Sequence, residues 1–172
     1  MSAQESWRLN EAEAEFVAAR YFRTESVVSV LSILCNWGPP VSGRFDSDFL
    51  DIWVAADDSL SPKSVVLYGC TDAWHDIGEF VKSKTTNVHG KAVGLYRFSG
   101  WPVEEFVVRL TDHRGDPRYD NNGGYGVNYR LRRYGGLQLN CVRAAVQNWI
   151  LVFPKLVEIR GTAGVADVSF GR

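Results

Sequence analysis

Between residues 106 and 111 apolar and polar positions take turns. Phe106, Val108 and Leu110 fall on one side and Val107, Arg109 and Thr111 on the other, the period-two pattern of a half-buried strand. Leu50, Ile52 and Val54 alternate in the same way with Asp51, Trp53 and Ala55, which predicts another strand with one polar face. A β-branched apolar run from Ser26 to Trp37, stopped by Gly38, Pro39 and Pro40, reads as a buried strand. Val65–Tyr68 and Val93–Phe98 add two more, and Tyr129–Leu131 resumes pairing after a loop. Towards the C-terminus Leu137, Leu139 and Cys141 alternate with Gln138, Asn140 and Val142. Trp149–Phe153, Leu156–Ile159 and Val165–Phe170 follow as further strands.

The helical period is confined to one place. Asn10 is a good N-cap, and Glu11, Ala12, Glu13, Ala14 and Glu15 behind it supply acidic first-turn residues and strong helix formers. A short helix around residues 11–21 is expected, and the competing strand reading lacks a clear phase. Residues 57–63 and 99–102 read as turns, 69–77 as a loop and 82–90 as a polar, exposed segment. Short strands separated by turn signals argue an all-β, antiparallel, immunoglobulin-like β-sandwich. The chain divides into an N-terminal extension (1–43), a sandwich (44–134) and additional strands packed on it (135–172).

Composition narrows the function classes. The formal net charge of −1 supplies no global field for nucleic acid or an anionic membrane, and Arg130, Arg132 and Arg133 read as a solvated edge. No stretch approaches the roughly 20 apolar residues of a membrane span. The N-terminus has no basic start followed by an apolar run, so no signal peptide is expected. Cys35, Cys70 and Cys141 are an odd, widely spaced set, which suggests reduced thiols and a cytoplasmic protein.

One segment is richer than a turn requires. Between residues 119 and 129 stand Tyr119, Tyr125 and Tyr129 together with Asn121, Asn122 and Asn128, around the loop residues Asp120, Gly123 and Gly124. Asp, Asn and Gly suit a tight loop. The rings and amides beyond that need point to recognition of something polar and ring-shaped. A pyranose has apolar C–H faces and a rim of hydroxyls, so its recognition in water calls for flat rings and planar amides together.

Residues 47–131 resemble a starch- and glycogen-binding carbohydrate-binding module, the kind that targets phosphatase subunits to glycogen and is attached to some fungal glucoamylases. The likeness rests on LDIWVAADD with the turn SLSPK, then SVVLYGCTDAW, EFVVRLTD and RYDNNGGYGVNYRL, in the family's order. The last is similar to the family's Trp-Asp-Asn-Asn-Gly…Asn-Tyr signature, with Tyr119 in place of the Trp. The resemblance implies non-catalytic binding of α-glucan. It carries Asp120, Asn121, Asn122, Asn128 and Tyr129 to the site region and makes Trp74 the stacking ring. The local reading adds Tyr119 and Tyr125, and treats Trp53 and Trp101 as structural. An open groove of this kind should bind with micromolar to millimolar Kd, roughly −4 to −8 kcal/mol.

Catalytic patterns are weak. No HExxH occurs, Glu104 and Glu105 are consecutive and so face opposite ways in a strand, and NGGYG lacks the GK[ST] of a phosphate loop. Cys70 near Asp72 and His75 lacks a recognisable orienting group. No catalysis, metal or cofactor is expected. The alternative is a sandwich that has lost sugar binding and serves protein interaction, with the strands of 135–172 offering a homodimer face.

Overall fold

The computed structural model describes residues 9–36, 49–122, 128–131, 137–141 and 168–170. The helix α1 (Glu11–Tyr21) is followed by eleven strands: β1 (Val28–Asn36), β2 (Phe49–Asp57), β3 (Ser64–Cys70), β4 (Trp74–Glu79), β5 (Val81–Val88), β6 (Lys91–Gly100), β7 (Glu105–Thr111), β8 (Pro117–Asp120), β9 (Tyr129–Arg130), β10 (Leu137–Cys141) and β11 (Val168–Phe170). They form two sheets. One has the order β11-β10-β1-β2-β6-β5, the other β4-β3-β7-β8, with β9 also paired to β7. The pairings are antiparallel except β10 with β11, which is parallel. The result is an all-β sandwich with one short helix. The strands expected at 149–153 and 156–159 lie outside the described residues.

The inner faces of the two sheets make the core. Val65, Leu67, Phe106, Val108 and Leu110 come from one sheet, and Leu50, Ile52 and Val54 from the other. The helix starts where Asn10 predicts. The Asn10 side chain accepts from the Glu13 backbone N–H at 2.8 Å, and Glu13 Oε1 accepts from the Asn10 N–H at 3.0 Å. This reciprocal cap satisfies two backbone donors that a helix start otherwise leaves open. Ala14, Val17 and Ala18 are its buried stripe, and it packs against β1 and β5.

β2 corrects the expectation of a polar face, because it is buried along its whole length. It is the centre of its sheet and has cover on both sides. Trp53 donates its Nε1–H to the carbonyl of Leu9 at 2.9 Å, just ahead of the helix, and the Arg97 guanidinium lies over the same ring at 5.2 Å. Asp51 is tolerated there because Arg97 Nε and Ser99 Oγ both donate to its Oδ1 at 2.8 Å. Trp53 is structural, as expected. The strand β1, assigned to an N-terminal extension, lies between β2 and β10 in that sheet.

Three elements depart from the pattern read off the chain. Residues 74–77, expected in a loop, begin β4. Residues 82–87 are exposed or half-buried and Val88 is buried, and together they belong to the edge strand β5. Pro117–Asp120, ahead of the Asn/Gly loop, pairs with β7 as β8. β4 also carries a bulge. Leu67 lies opposite Gly78 and Tyr68 opposite Asp76, so Ile77 is the extra residue. A bulge of this kind shifts the alternation of side chains by one. Ile77 packs against the core, while Asp76 and Trp74 come to the same face as Tyr68.

Candidate functional site

The described parts of the segment that draws attention in the sequence, residues 119–122 and 128–129, are held together as a clasp. Asp120 ends β8 and works inward: its Oδ2 accepts from the Val30 N–H at 2.7 Å and from the Tyr129 hydroxyl at 2.9 Å, and its Oδ1 accepts from the Asn122 N–H at 3.0 Å. One carboxylate thereby ties together β1, β8 and β9. The Tyr129 ring is buried and stacks on Phe106 with centroids 5.2 Å apart and planes 18° from parallel. Asn122 is also buried and donates its Nδ2–H to the carbonyl of Asn128 at 3.0 Å, while the Asn128 N–H donates to the carbonyl of Asn121 at 3.0 Å. Asn128 Nδ2 donates to Glu105 Oε1 at 2.8 Å, which also accepts from Arg130 Nε at 3.3 Å.

Both Asn122 (φ 60°) and Asn128 (φ 53°) occupy the left-handed region, which Asn tolerates better than other residues with a Cβ. The amides are therefore explained by the backbone they hold. This corrects the expectation that Asn122 and Tyr129 present side chains to a ligand: both are turned inside, because closing this loop against β7 needs a buried ring and a left-handed amide. Asp120 and Asn128 are partly buried and spend their polar atoms on the same closure. Asn121 borders a groove of ≈ 480 Å³ lined by residues 26–29 and 117–121. Tyr125 lies outside the described residues.

The remaining two site residues come out on the outer face of the β4-β3-β7-β8 sheet. Tyr119 stands opposite Arg109 on the neighbouring strand and is 52% exposed. Trp74 stands opposite Cys70, is 39% exposed, and leans on Tyr68 with ring centroids 5.3 Å apart and planes at 36°. Arg109 lies between these rings. Its guanidinium sits 5.6 Å from the centre of the Tyr68 ring and donates from Nη2 to Asp76 Oδ2 at 2.9 Å. The hydrogen bond to Asp76 is the main reason the Arg109 pKa lies above its ordinary value, against a smaller opposing effect of burial. The sheet thus presents a strip running Trp74, Tyr68, Arg109, Tyr119, with Asp76 at its flank.

Tyr68 and Arg109 were not picked out from the sequence as site residues. The signal was present: on β3 and β7 both occupy positions that period two assigns to the outer face, where a ring and a cation on adjacent strands meet as diagonal neighbours. Trp101, expected to be structural, is instead 72% exposed in the connection between β6 and β7.

Of the groups considered for catalysis, Cys70 ends β3 and His75 lies on the paired strand β4. Burial, with the nearby charges of Glu105, Glu104 and Asp72, pushes the Cys70 thiol up from its ordinary pKa, which disfavours the nucleophilic thiolate. The Nδ1 of His75 faces the carbonyl of Ala73 at 2.9 Å. Among the described residues no cluster of His, Cys, Asp and Glu could hold a metal ion, and no helix is long and apolar enough to cross a membrane. Comparison of the chain with protein-family models, curated proteins and solved structures finds no match.

Proposed function

We propose that this protein is a non-catalytic carbohydrate-binding sandwich that takes α-glucan on the outer face of the β4-β3-β7-β8 sheet. The observation that carries the reading is the strip of Trp74, Tyr68, Arg109 and Tyr119 on one open surface. Half-exposed rings are suited to covering the C–H faces of sugars, and a strand-borne face holds them in fixed relative positions. The register puts Trp74 and Tyr119 at opposite edges of the sheet, roughly 20 Å apart from strand spacing and rise. Two rings at that separation suit an extended oligosaccharide better than a single sugar. The resemblance of residues 47–131 to starch- and glycogen-binding modules, and the immunoglobulin-like topology it implies, belong to the same proposal. So does a cytoplasmic location, in keeping with the free Cys70 thiol.

Affinity electrophoresis through glycogen and amylose tests the reading. Retardation of the wild type, reduced in Trp74→Ala and in Tyr119→Ala, is the expected result. An unretarded, folded wild type would sink it.

Exposed Trp101 favours a second reading, a protein-interaction surface at the sandwich end. Light scattering that shows a concentration-dependent dimer in the wild type and a monomer in Trp101→Ala would support it over the first if glycogen binding is absent.

A further inference from the structure

The proposed sugar face has rings at both ends but no exposed amide in the strip itself, since Asn122 and Asn128 are engaged in closing the loop. A ring alone covers the C–H face of a sugar and leaves its hydroxyls to water. Selective recognition of a pyranose needs polar groups that replace those water contacts with fixed geometry. The strip holds one pair with that capacity. Asp76 and Arg109 lie on the outer face, Arg109 between the rings and Asp76 at the flank of the row, joined by a single contact from Nη2 to Oδ2.

The chemistry of this pair is incomplete as it stands. A guanidinium carries five N–H donors in a planar fork, and a carboxylate has two oxygens that each accept more than once. Beyond that one contact, neither the other N–H groups of Arg109 nor Oδ1 of Asp76 makes a hydrogen bond among the described residues. Both side chains remain open to solvent, Arg109 24% and Asp76 57% exposed. They are not free to wander, however. The guanidinium lies 5.6 Å from the centre of the Tyr68 ring, and the bulge turns Asp76 to the same face, where its Oδ2 accepts from Arg109. What results is a pre-oriented donor beside a pre-oriented acceptor.

We propose that Asp76 and Arg109 together read two adjacent hydroxyls of the glucan, the 2- and 3-hydroxyls of one glucose unit. Arg109 donates to one hydroxyl oxygen and Asp76 accepts from the neighbouring hydroxyl. This rests on the sugar-binding reading of the face and adds the polar half of its recognition. The pair is already neutral overall, so the ligand is a neutral sugar and its binding depends weakly on salt.

The test uses maltotriose and its 2-deoxy and 3-deoxy analogues, titrated by NMR against wild type, Arg109→Met, Arg109→Lys and Asp76→Asn. Circular dichroism and Trp fluorescence report whether each variant keeps the wild-type fold. Hydrogen bonds to charged groups predict that removing one hydroxyl weakens wild-type binding about tenfold. Arg109→Met should bind intact maltotriose about tenfold more weakly and lose most of the deoxy penalty, because the partner of that hydroxyl is gone. Arg109→Lys should recover little, since a point charge lacks the fork. Asp76→Asn, which preserves shape, should lower the penalty at the neighbouring hydroxyl. A full deoxy penalty in Arg109→Met would overturn the proposal and leave Arg109 only a support for Tyr68. Equal affinity in all variants would overturn it as well. A folded wild type that binds neither maltotriose nor glycogen would overturn the sugar-binding reading itself, and this proposal with it.

Discussion

The hydroxyl of Tyr129 donates to Oδ2 of Asp120 at 2.9 Å, and the same oxygen accepts the Val30 N–H at 2.7 Å from the other sheet. Asp120 and Tyr129, which read as part of a ligand surface in sequence, form a joint between the sheets at this edge of the sandwich. Tyr129→Phe keeps the ring on Phe106 and removes only the donor. The expected loss is about 1.5–3 kcal/mol of unfolding free energy, as for a hydrogen bond to a charged acceptor. Urea unfolding checks the loss, and glycogen affinity should stay at the wild-type value in the folded variant.

Asn122 offers a second probe of the clasp. Its φ of 60° costs a residue with a Cβ more than it costs glycine, and its side chain also donates to the carbonyl of Asn128. Asn122→Ala should therefore lose about 1–3 kcal/mol, from strain and the missing bond together. Asn122→Gly should lose less, because glycine relieves the strain while losing the same bond. Equal losses in thermal or urea unfolding would contradict this account of the loop.

At the sugar face the expectations invert. Trp74 is half-exposed and leans on Tyr68, so Trp74→Ala should lower stability by less than about 1.5 kcal/mol, the upper range of an aromatic pair contribution. Its effect on glucan affinity should be about tenfold, with Tyr119→Ala somewhat milder for the smaller ring. Calorimetric titration with maltoheptaose, run beside a melting curve for each variant, separates the two effects.

Gly69 lies where β3 and β7 approach closely. A Cβ there would lie 2.7 Å from the carbonyl oxygen of Glu105 and 3.0 Å from the Cβ of Phe106. Backbone on the opposing strand cannot step aside as a flexible side chain can, so Gly69→Ala should cost about 1–3 kcal/mol through overpacking. Denaturant titration with an unchanged midpoint would refute the close approach.

Acid should weaken the fold through Asp57 and Asp112. Burial tends to raise the Asp57 pKa but is outweighed by the Ser59 hydroxyl and Lys91, so the carboxyl titrates below its ordinary value. Asp112 is lowered by the backbone N–H of Asp116, against burial, and further by that of Arg114. A folded pKa below the unfolded one means that the unfolded chain takes up the proton first. The stabilisation is therefore complete above the ordinary carboxylate range near pH ~4 and is lost as pH falls through it. Melting temperature followed from pH 7 to pH 3 should be flat and then drop, with a shallower drop in the Asp57→Asn, Asp112→Asn double variant.

How far the sequence discloses all this depends on the kind of signal each element carries. α1 is legible because Asn10 and the acidic first turn act locally. β1, β3, β6, β7, β9 and β10 are legible because apolar residues repeat with the pleat or run unbroken in buried strands. β4 and β5 are not. The bulge at Ile77 breaks the alternation of β4, and β5 is an edge strand whose Lys, Ser, Thr and Asn residues face solvent. The candidate site divides along the same line. Trp74 and Tyr119 stand out by residue type. Tyr68 and Arg109 become visible only when the register sets them beside each other, and the inward roles of Asp120 and Tyr129 depend on Val30 and Phe106, from strands apart in sequence.

The extra residue in β4 gives the surface a dependence on parity. Side chains on a strand have two choices of direction, and the choice for Trp74 and Asp76 is set by whether Ile77 is bulged out of the pairing. Pairing Ile77 regularly with Tyr68 would leave every chemical group of the face in the chain, yet would turn the carboxylate and the ring towards the interior and Ile77 outward. A binding surface can thus be erased without altering any residue that would touch the sugar. In a comparison of related chains, whether this short strand keeps its bulge would say more about whether the face exists than the presence of a Trp.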